Sequence, residues 1–259
     1  MGFRVNQDNH PISMDDRILI STRYRTITKA VNRVFWGIIS ETAHSRYVGS
    51  YGRGTAINTS DLDVMMELPT EDFDRFNSLL GNGPSKLLQA VRNAIIVSYP
   101  NTDVSADGQV VVVTFSDEMK FEVLPAFQRN NSYIYPDSNM GGNWLSTNPI
   151  AEQNAMKQKN DKSKGLLFDT CKHIRYIRDT FFSSYHLSGI LIDSFVFMAI
   201  DDWHWCQSGE PSSSPGTYEN KLLSNFNQIP TLYAPGSNQL VRLDGWDVLG
   251  KVLNKMVQP

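Results

Sequence analysis

Cysteine is scarce in this chain. Of the two present, Cys171 and Cys206, neither sits in a CxxC pair or near a histidine at zinc-ligand spacing. That excludes a disulfide framework and the common zinc modules. The five histidines, His10, His44, His173, His186 and His204, form no metal pattern either. A reducing, cytoplasmic compartment is the simple expectation. Long apolar runs are also lacking. The most apolar stretch, Ile190 to Ile200, contains Asp193 and is too short to cross a bilayer, so it reads as a buried helix and no membrane association is expected. The opening residues MGFRVNQDNH have no signal-peptide core. A dense basic run is missing too. Lys157 to Lys164 holds four lysines and one aspartate, the composition of a solvated helix face. Net charge is −3 and the pI about 5.9. Stable binding of long nucleic acid needs a basic stripe to meet its phosphates, so small nucleotides suit this balance better. No internal repeat is present.

What remains is an ordinary globular composition of 259 residues, 41% hydrophobic and 20% charged, enough for one large domain or two smaller lobes. Ile20, Tyr24, Ile27, Val31 and Val34 recur at helical spacing and predict a long helix over Ser13 to Trp36, with Ser13 as its cap and Asp15 and Asp16 in its first turn. Arg46 to Val48 reads as a short strand entering the turn Gly49-Ser50-Tyr51-Gly52-Arg53-Gly54-Thr55. Ser60 opens a second strand, Asp61 to Leu68, closed by Pro69. Residues 71 to 99 read as helix, interrupted near Gly81 to Pro84. Gln109 to Phe115 and Lys120 to Leu124 read as strands, the latter stopping before Pro125. Residues 128 to 148 are polar and predict a loop. Helices are expected over Pro149 to Asn160, Gly165 to Phe182 and His186 to Trp205. A Ser/Pro/Gly loop is expected over Gln207 to Thr217, and a last short helix over Asp244 to Met256. The first half is thus mixed α/β and the second mostly helical.

Three features carry chemistry. In a strand, residues i and i+2 share a face, so Asp61 and Asp63 stand side by side while Leu62 and Val64 face the core. Paired carboxylates repel unless a cation sits between them, and magnesium takes such oxygen ligands together with phosphate oxygens. Alone, an Asp-x-Asp is common on surface strands. The Gly49-Ser50 turn is the second feature. Small residues after a strand let backbone N–H groups approach a phosphate, and Ser50 adds a hydroxyl. Alone, it is equally a tight turn. The third is Glu122, a lone acid in Phe121-Glu122-Val123-Leu124-Pro125. It is either an exposed residue of a half-buried strand or, if this strand neighbours Asp61 to Leu68, the third carboxylate of one site.

Taken together, GSYGRGTAINTSDLDV followed by FEVLPAF resembles the nucleotidyltransferase superfamily that includes DNA polymerase beta. Within it, the Gly-Ser turn, Gly54-Thr55, Ser60-Asp61-Leu62-Asp63 and Glu122-x-x-Pro125 look most like the CD-NTases, bacterial relatives of cyclic GMP-AMP synthase and oligoadenylate synthetase. Asn143 to Pro149 resembles the link from catalytic core to helical lobe in that family. Cys171 to Tyr176 resembles a helix whose basic residue reaches the donor triphosphate, matched here by Arg175 with Lys172 one turn earlier. Ser183 to Leu187 is similar to a Ser-Tyr-His stretch whose Ser, here Ser184, contacts phosphate and whose Tyr, here Tyr185, stacks on the donor base. The sequence departs from the family at Glu122, where aspartate is more usual.

The resemblance implies an α+β fold: a polymerase-beta-like core over residues 1–145, a helical lobe over 146–259 and an active site in the cleft between them. It implies two Mg²⁺ ions, replaceable by Mn²⁺, on Asp61, Asp63 and Glu122. Gly49, Ser50, Lys172, Arg175, Ser184 and Tyr185 would bind nucleotide. The implied activity joins ATP, GTP or other nucleoside triphosphates into a cyclic second messenger, in CBASS-type antiphage signalling, with a separate effector sensing the product and an activating partner possible. Two alternatives stay open. The same core transfers a nucleotide to an RNA end, a small molecule or a protein in other enzymes, and the acidic pI weighs against RNA ends. A non-catalytic nucleotide-binding relative is disfavoured by the intact acid set.

Overall fold

The computed structural model of the protein describes residues 3–8, 10–57 and 61–258. In chain order the elements are α1 (Met14–Phe35), β1 (Ser45–Tyr47), α2 (Gly49–Gly52), β2 (Asp61–Glu67), α3 (Thr70–Asn77), α4 (Gly83–Ile96), β3 (Asp103–Asp107), β4 (Val110–Thr114) and β5 (Lys120–Arg129). There follow β6 (Ser132–Asp137), β7 (Asn143–Thr147), α5 (Pro149–Lys162), α6 (Leu166–Phe181), α7 (Gly189–Ala199), α8 (Thr217–Phe226) and α9 (Trp246–Met256). The chain divides into two compact units. One comprises Ile12–Gly52 and Asn58–Pro149; the other comprises Met1–Pro11, Arg53–Ile57 and Ile150–Pro259.

The first unit is built on a mixed sheet in the order β1-β2-β5-β4-β3, with β6 pairing β5 and β7 pairing β6. Only the β2–β5 ladder is parallel among the described strands. One face is apolar. Leu62, Val64 and Met66 of β2, Phe121 and Val123 of β5, and Val111 and Val113 of β4 pack with Ile20, Ile27 and Val31 of α1 and Leu87, Val91 and Ile95 of α4. As expected, α1 starts at Ser13, whose hydroxyl accepts the Asp16 N–H at 3.1 Å, and the interrupted helix resolves into α3 and α4.

Two expectations for this unit need correction. β5 does not stop at Pro125 but runs to Arg129. Pro125 is tolerated because β4 pairs with β5 only as far as Val123 and β6 takes over at Phe127, so the position needs no N–H donor on that side. The stretch 128–148 is not a loop: it holds β6, β7 and a single 3-10 turn at Asn139–Gly141. The strands form an antiparallel meander whose residues are mostly half-buried or exposed, with Tyr133 buried, so a polar composition is compatible with strand. β3 also went unforeseen. Ser60, expected to open β2, lies outside the described residues.

In the second unit, Leu167, Cys171, Ile174 and Ile177 of α6 pack with Leu191, Ile192, Phe195 and Val196 of α7, Leu222 of α8 and Leu249, Val252 and Leu253 of α9. The helix expected over His186 to Trp205 is shorter. Ser188 is extended (ψ 145°), and Asp201 beyond Ile200 takes a left-handed φ of 51°, so only Gly189–Ala199 is helical. α8 follows the loop at 207–216 and was not expected. Among the described residues no helix is long and apolar enough to cross a membrane.

Asp193, in the middle of apolar α7, is fully buried and is the centre of a polar cluster. Arg175 donates to both its carboxylate oxygens, at 2.6 and 2.9 Å. Arg53 Nε donates to Oδ2 at 2.8 Å and Thr55 Oγ1 to Oδ2 at 3.0 Å. Arg53 Nη1 also pairs with Glu152 at 3.0 Å. Burial alone would raise the Asp193 pKa, but Arg175 and Arg53 outweigh it and hold the group at about 2. The cluster, two guanidiniums against two carboxylates, is therefore charge-balanced. Asp193→Ala would leave two buried guanidiniums against the single carboxylate of Glu152, an effect on the order of 3–5 kcal/mol. Thermal denaturation should show a Tm drop on the order of 10 °C. The folded pKa lies below the unfolded value, so the stabilisation is fully present above the unfolded value of 3.8 and is lost only as pH falls through about 2.

Candidate active site

β2 reads Asp-Leu-Asp-Val-Met-Met-Glu, and its burial alternates at the start: Asp61 exposed, Leu62 buried, Asp63 half-buried, Val64 buried. β5 begins Lys-Phe-Glu-Val, with Lys120 exposed, Phe121 buried, Glu122 half-buried and Val123 buried. The parallel register sets Asp61 opposite Lys120 and Asp63 opposite Glu122. Since buried residues of both strands face α1 and α4, the three acids come out together on the other face. The conditional expectation for Glu122 thus meets its condition: the two strands are neighbours.

The Gly-Ser turn packs onto the same place. The Val48 N–H donates to the Asp63 carbonyl oxygen at 2.9 Å, and the Gly52 N–H donates to the Val48 oxygen at 2.9 Å, closing the single turn α2. Gly49 sits at φ +57°, and a Cβ there would collide with the Asp63 carboxylate. Only glycine allows this approach of backbone to acid. Ser50 is the next residue, half-buried.

Burial, then Asp63, then Asp61 raise the pKa of Glu122; Lys120 opposes the rise and Asp107 adds to it. Asp107 belongs to β3, whose Ser105 lies opposite Val112 of β4, itself opposite Glu122. Among the described residues no three His, Cys, Asp or Glu side chains are gathered tightly enough to hold a metal ion as they stand. The three acids share a face without forming a closed cage. Their chemistry nonetheless suits a hard divalent cation: the donors are all carboxylate oxygens, and the mutual repulsion that raises Glu122 is what such an ion would relieve.

The residues expected on the helical unit fare differently. Arg175 is buried, with its guanidinium held by Asp193, the Gly189 oxygen at 3.0 Å and the Cys171 oxygen at 3.3 Å. It is a structural cation, which corrects the expectation that it reaches a triphosphate. Lys172, its half-buried neighbour on α6, is not part of that cluster. Ser184 and Tyr185 lie exposed between α6 and α7, and Lys251 of α9 places its ammonium 4.7 Å from the Tyr185 ring centre. Nothing in the sequence pointed to Lys251, because α9 is distant along the chain. Lys120 was also passed over, although its i−2 spacing to Glu122 was a usable signal. A cavity of about 480 Å³ on the helical unit, lined by Asp202, Trp203 and His204 among others, includes none of the expected residues.

Residues 3–160 match the model of the Second Messenger Oligonucleotide or Dinucleotide Synthetase (SMODS) domain. No curated protein sequence matches the chain. Among solved structures it is similar to the Elizabethkingia meningoseptica CdnE cyclic dinucleotide synthase with GTP and Apcpp, at 14% identity and TM-score 0.67, covering 98% of this chain and 94% of that one. It is also similar to the Rhodothermus marinus CdnE c-UMP-AMP synthase with Apcpp and Upnpp, at 12% identity and TM-score 0.63, covering 95% of each. The STING-associated CdnE c-di-GMP synthase from Capnocytophaga granulosa follows, at 11% and 0.63, covering 92% of this chain and 80% of that one. At these identities the structural likeness is one of fold, and the expected α+β core with a C-terminal helical region is borne out.

Two outcomes follow from the geometry. Because folding raises the Glu122 pKa above its unfolded value of 4.5, stability falls as pH rises through the interval between the two values and stays lower above it. Without divalent ions, Glu122→Gln should therefore raise Tm by a few degrees at pH 7.5 and leave it nearly unchanged at pH 4. Added Mg²⁺ should raise the Tm of the wild type but not of the variant, as read by scanning fluorimetry. Gly49→Ala forces either a strained φ or a displaced Asp63. It should cost about 1–3 kcal/mol in urea denaturation and at least about 100-fold in turnover.

Proposed function

The chain belongs to the second messenger oligonucleotide or dinucleotide synthetase family, a family of nucleotidyltransferases, and from that premise we propose that it joins nucleoside triphosphates into a cyclic di- or oligonucleotide. The observation that carries this is the parallel register that sets Asp63 beside Glu122 with Asp61 on the same face, under the Gly49 turn. The backbone N–H groups at Gly49 and Ser50, with the Ser50 hydroxyl, hold the donor triphosphate. Asp61, Asp63 and Glu122 hold two Mg²⁺ ions, with Mn²⁺ able to substitute. When bound, these ions neutralise phosphate charge and acidify the attacking hydroxyl. An acceptor ribose oxygen forms a bond to the α-phosphorus, the bond to pyrophosphate breaks, and the hydroxyl proton passes to Glu122. On the helical unit, Lys172 and Ser184 are the proposed phosphate contacts and Tyr185 stacks on a base.

The product would act on a separate effector protein in CBASS-type antiphage signalling. The similarity to a synthase described as STING-associated supports an effector of that kind. The experiment is to incubate the protein with all four nucleoside triphosphates and Mg²⁺ or Mn²⁺, beside Asp61→Ala/Asp63→Ala. The wild type should yield a phosphatase-resistant oligonucleotide by mass spectrometry, and the variant at least about 10³-fold less. Equal product from both proteins would remove the carboxylate face from the chemistry. A phosphatase-sensitive product, or transfer only to an added acceptor, would replace cyclisation by ordinary nucleotidyl transfer.

A further inference from the structure

One charged side chain on the carboxylate face has no part in the chemistry above. Lys120 opens β5 and stands opposite Asp61 in the parallel register, so it emerges on the face that carries Asp61, Asp63 and Glu122. Its neighbours Met119 and Phe121 are buried at 4% and 0% exposure, which pins the strand so that Lys120 cannot change faces. Lys120 itself is exposed. The row continues across the sheet, with Thr114 of β4 opposite Lys120 and Asp103 of β3 opposite Thr114. The other cation on this face of β1 to β5 is Arg46, which stands opposite Met65, further along β2 from Asp61. At the level of Asp61 the positive charge is therefore that of Lys120.

Its side of β2 matters. The Gly49-Ser50 turn leaves the end of β1, which flanks β2 on one edge, and Lys120 belongs to β5, which flanks it on the other. Nucleotidyl transfer is an in-line displacement, with the entering and leaving oxygens on opposite sides of the phosphorus. A leaving pyrophosphate directed toward the turn requires the entering nucleotide to come from the β5 side. We propose that Lys120 binds the 5′-phosphates of the acceptor nucleotide and so selects a phosphorylated acceptor over a bare nucleoside. This rests on the nucleotidyltransferase role assigned to the face. A lysine needs no fixed fork to do it: its ammonium acts as a mobile point charge on phosphate oxygens.

The test separates acceptor from donor. The donor is a 2′,3′-dideoxynucleoside triphosphate, which has no hydroxyl with which to accept. The acceptors are a nucleoside and its 5′-diphosphate, carrying a base found in the wild-type product, and the joined product is measured by mass spectrometry. The wild type should prefer the diphosphate by at least about tenfold in kcat/KM. In Lys120→Met that preference should collapse to within about twofold, and Lys120→Arg should restore it to within about threefold of wild type. Thermal melts of both variants should stay close to wild type, because the side chain is exposed. An unchanged preference in Lys120→Met, or no preference in the wild type, would overturn the assignment, as would failure of arginine to rescue. If the wild type forms no product with any nucleotide, the nucleotidyltransferase role itself fails and the acceptor site falls with it.

Discussion

A parallel ladder between β2 and β5, inside a sheet otherwise paired antiparallel, is the constraint from which the candidate site follows. It brings two strands distant in the chain into a register in which Asp63 meets Glu122. What holds that register is not the acids but the residues between them. Leu62, Val64, Phe121 and Val123 are completely buried, and a slip of one residue would send all of them to the polar face and the carboxylates into the core. The chemistry of one face is specified by the hydrophobicity of the other.

Magnitudes explain why the arrangement is tolerated. Adjacent strands lie about 4.8 Å apart, so two carboxylates facing each other repel by roughly 1–3 kcal/mol at effective dielectrics between 80 and 20. Each fully buried Leu, Val or Phe contributes about 1.5–3 kcal/mol. Four such residues beneath the acids outweigh the repulsion, and solvent around Asp61 moderates it further. Glu122 carries the residual conflict as a raised proton affinity. The site is thus held slightly strained by a core strong enough to hold it.

How far the sequence reveals this depends on whether a feature is local. Asp61-Leu62-Asp63 and Glu122 are legible because a period of two places them, and Ser13 because a cap acts within four residues. The strand pairing is not local. No spacing rule makes β2 and β5 neighbours, so Glu122 stayed conditional until the register was known, and Lys120 stayed unnoticed. β6 and β7 were hidden for a different reason: their residues are mostly half-buried or exposed, and half-solvated antiparallel strands share the composition of loops. Arg175 was misplaced because its role depends on Asp193, one helix away. An acid in the midst of apolar α7 was visible in the sequence, but not the cations that neutralise it.

The protein holds charge in two opposite ways, and the contrast separates structure from chemistry. Around Asp193 the charges balance internally: two guanidiniums, two carboxylates and the Thr55 hydroxyl saturate one another out of water. Such a cluster has no valence left for a ligand, and inserting one would strand a buried ion. On the β2–β5 face the charges do not balance. Three carboxylates stand with a single lysine at the level of Asp61, partly solvated, and the excess is negative. An imbalance that the core sustains is a standing demand for cations, which a nucleoside triphosphate brings with it. By that criterion Arg53 and Arg175, though drawn from segments that resemble nucleotide-binding sequence, serve the fold, while the role proposed for Asp61, Asp63 and Glu122 rests on an excess of negative charge that the β2–β5 face does not balance.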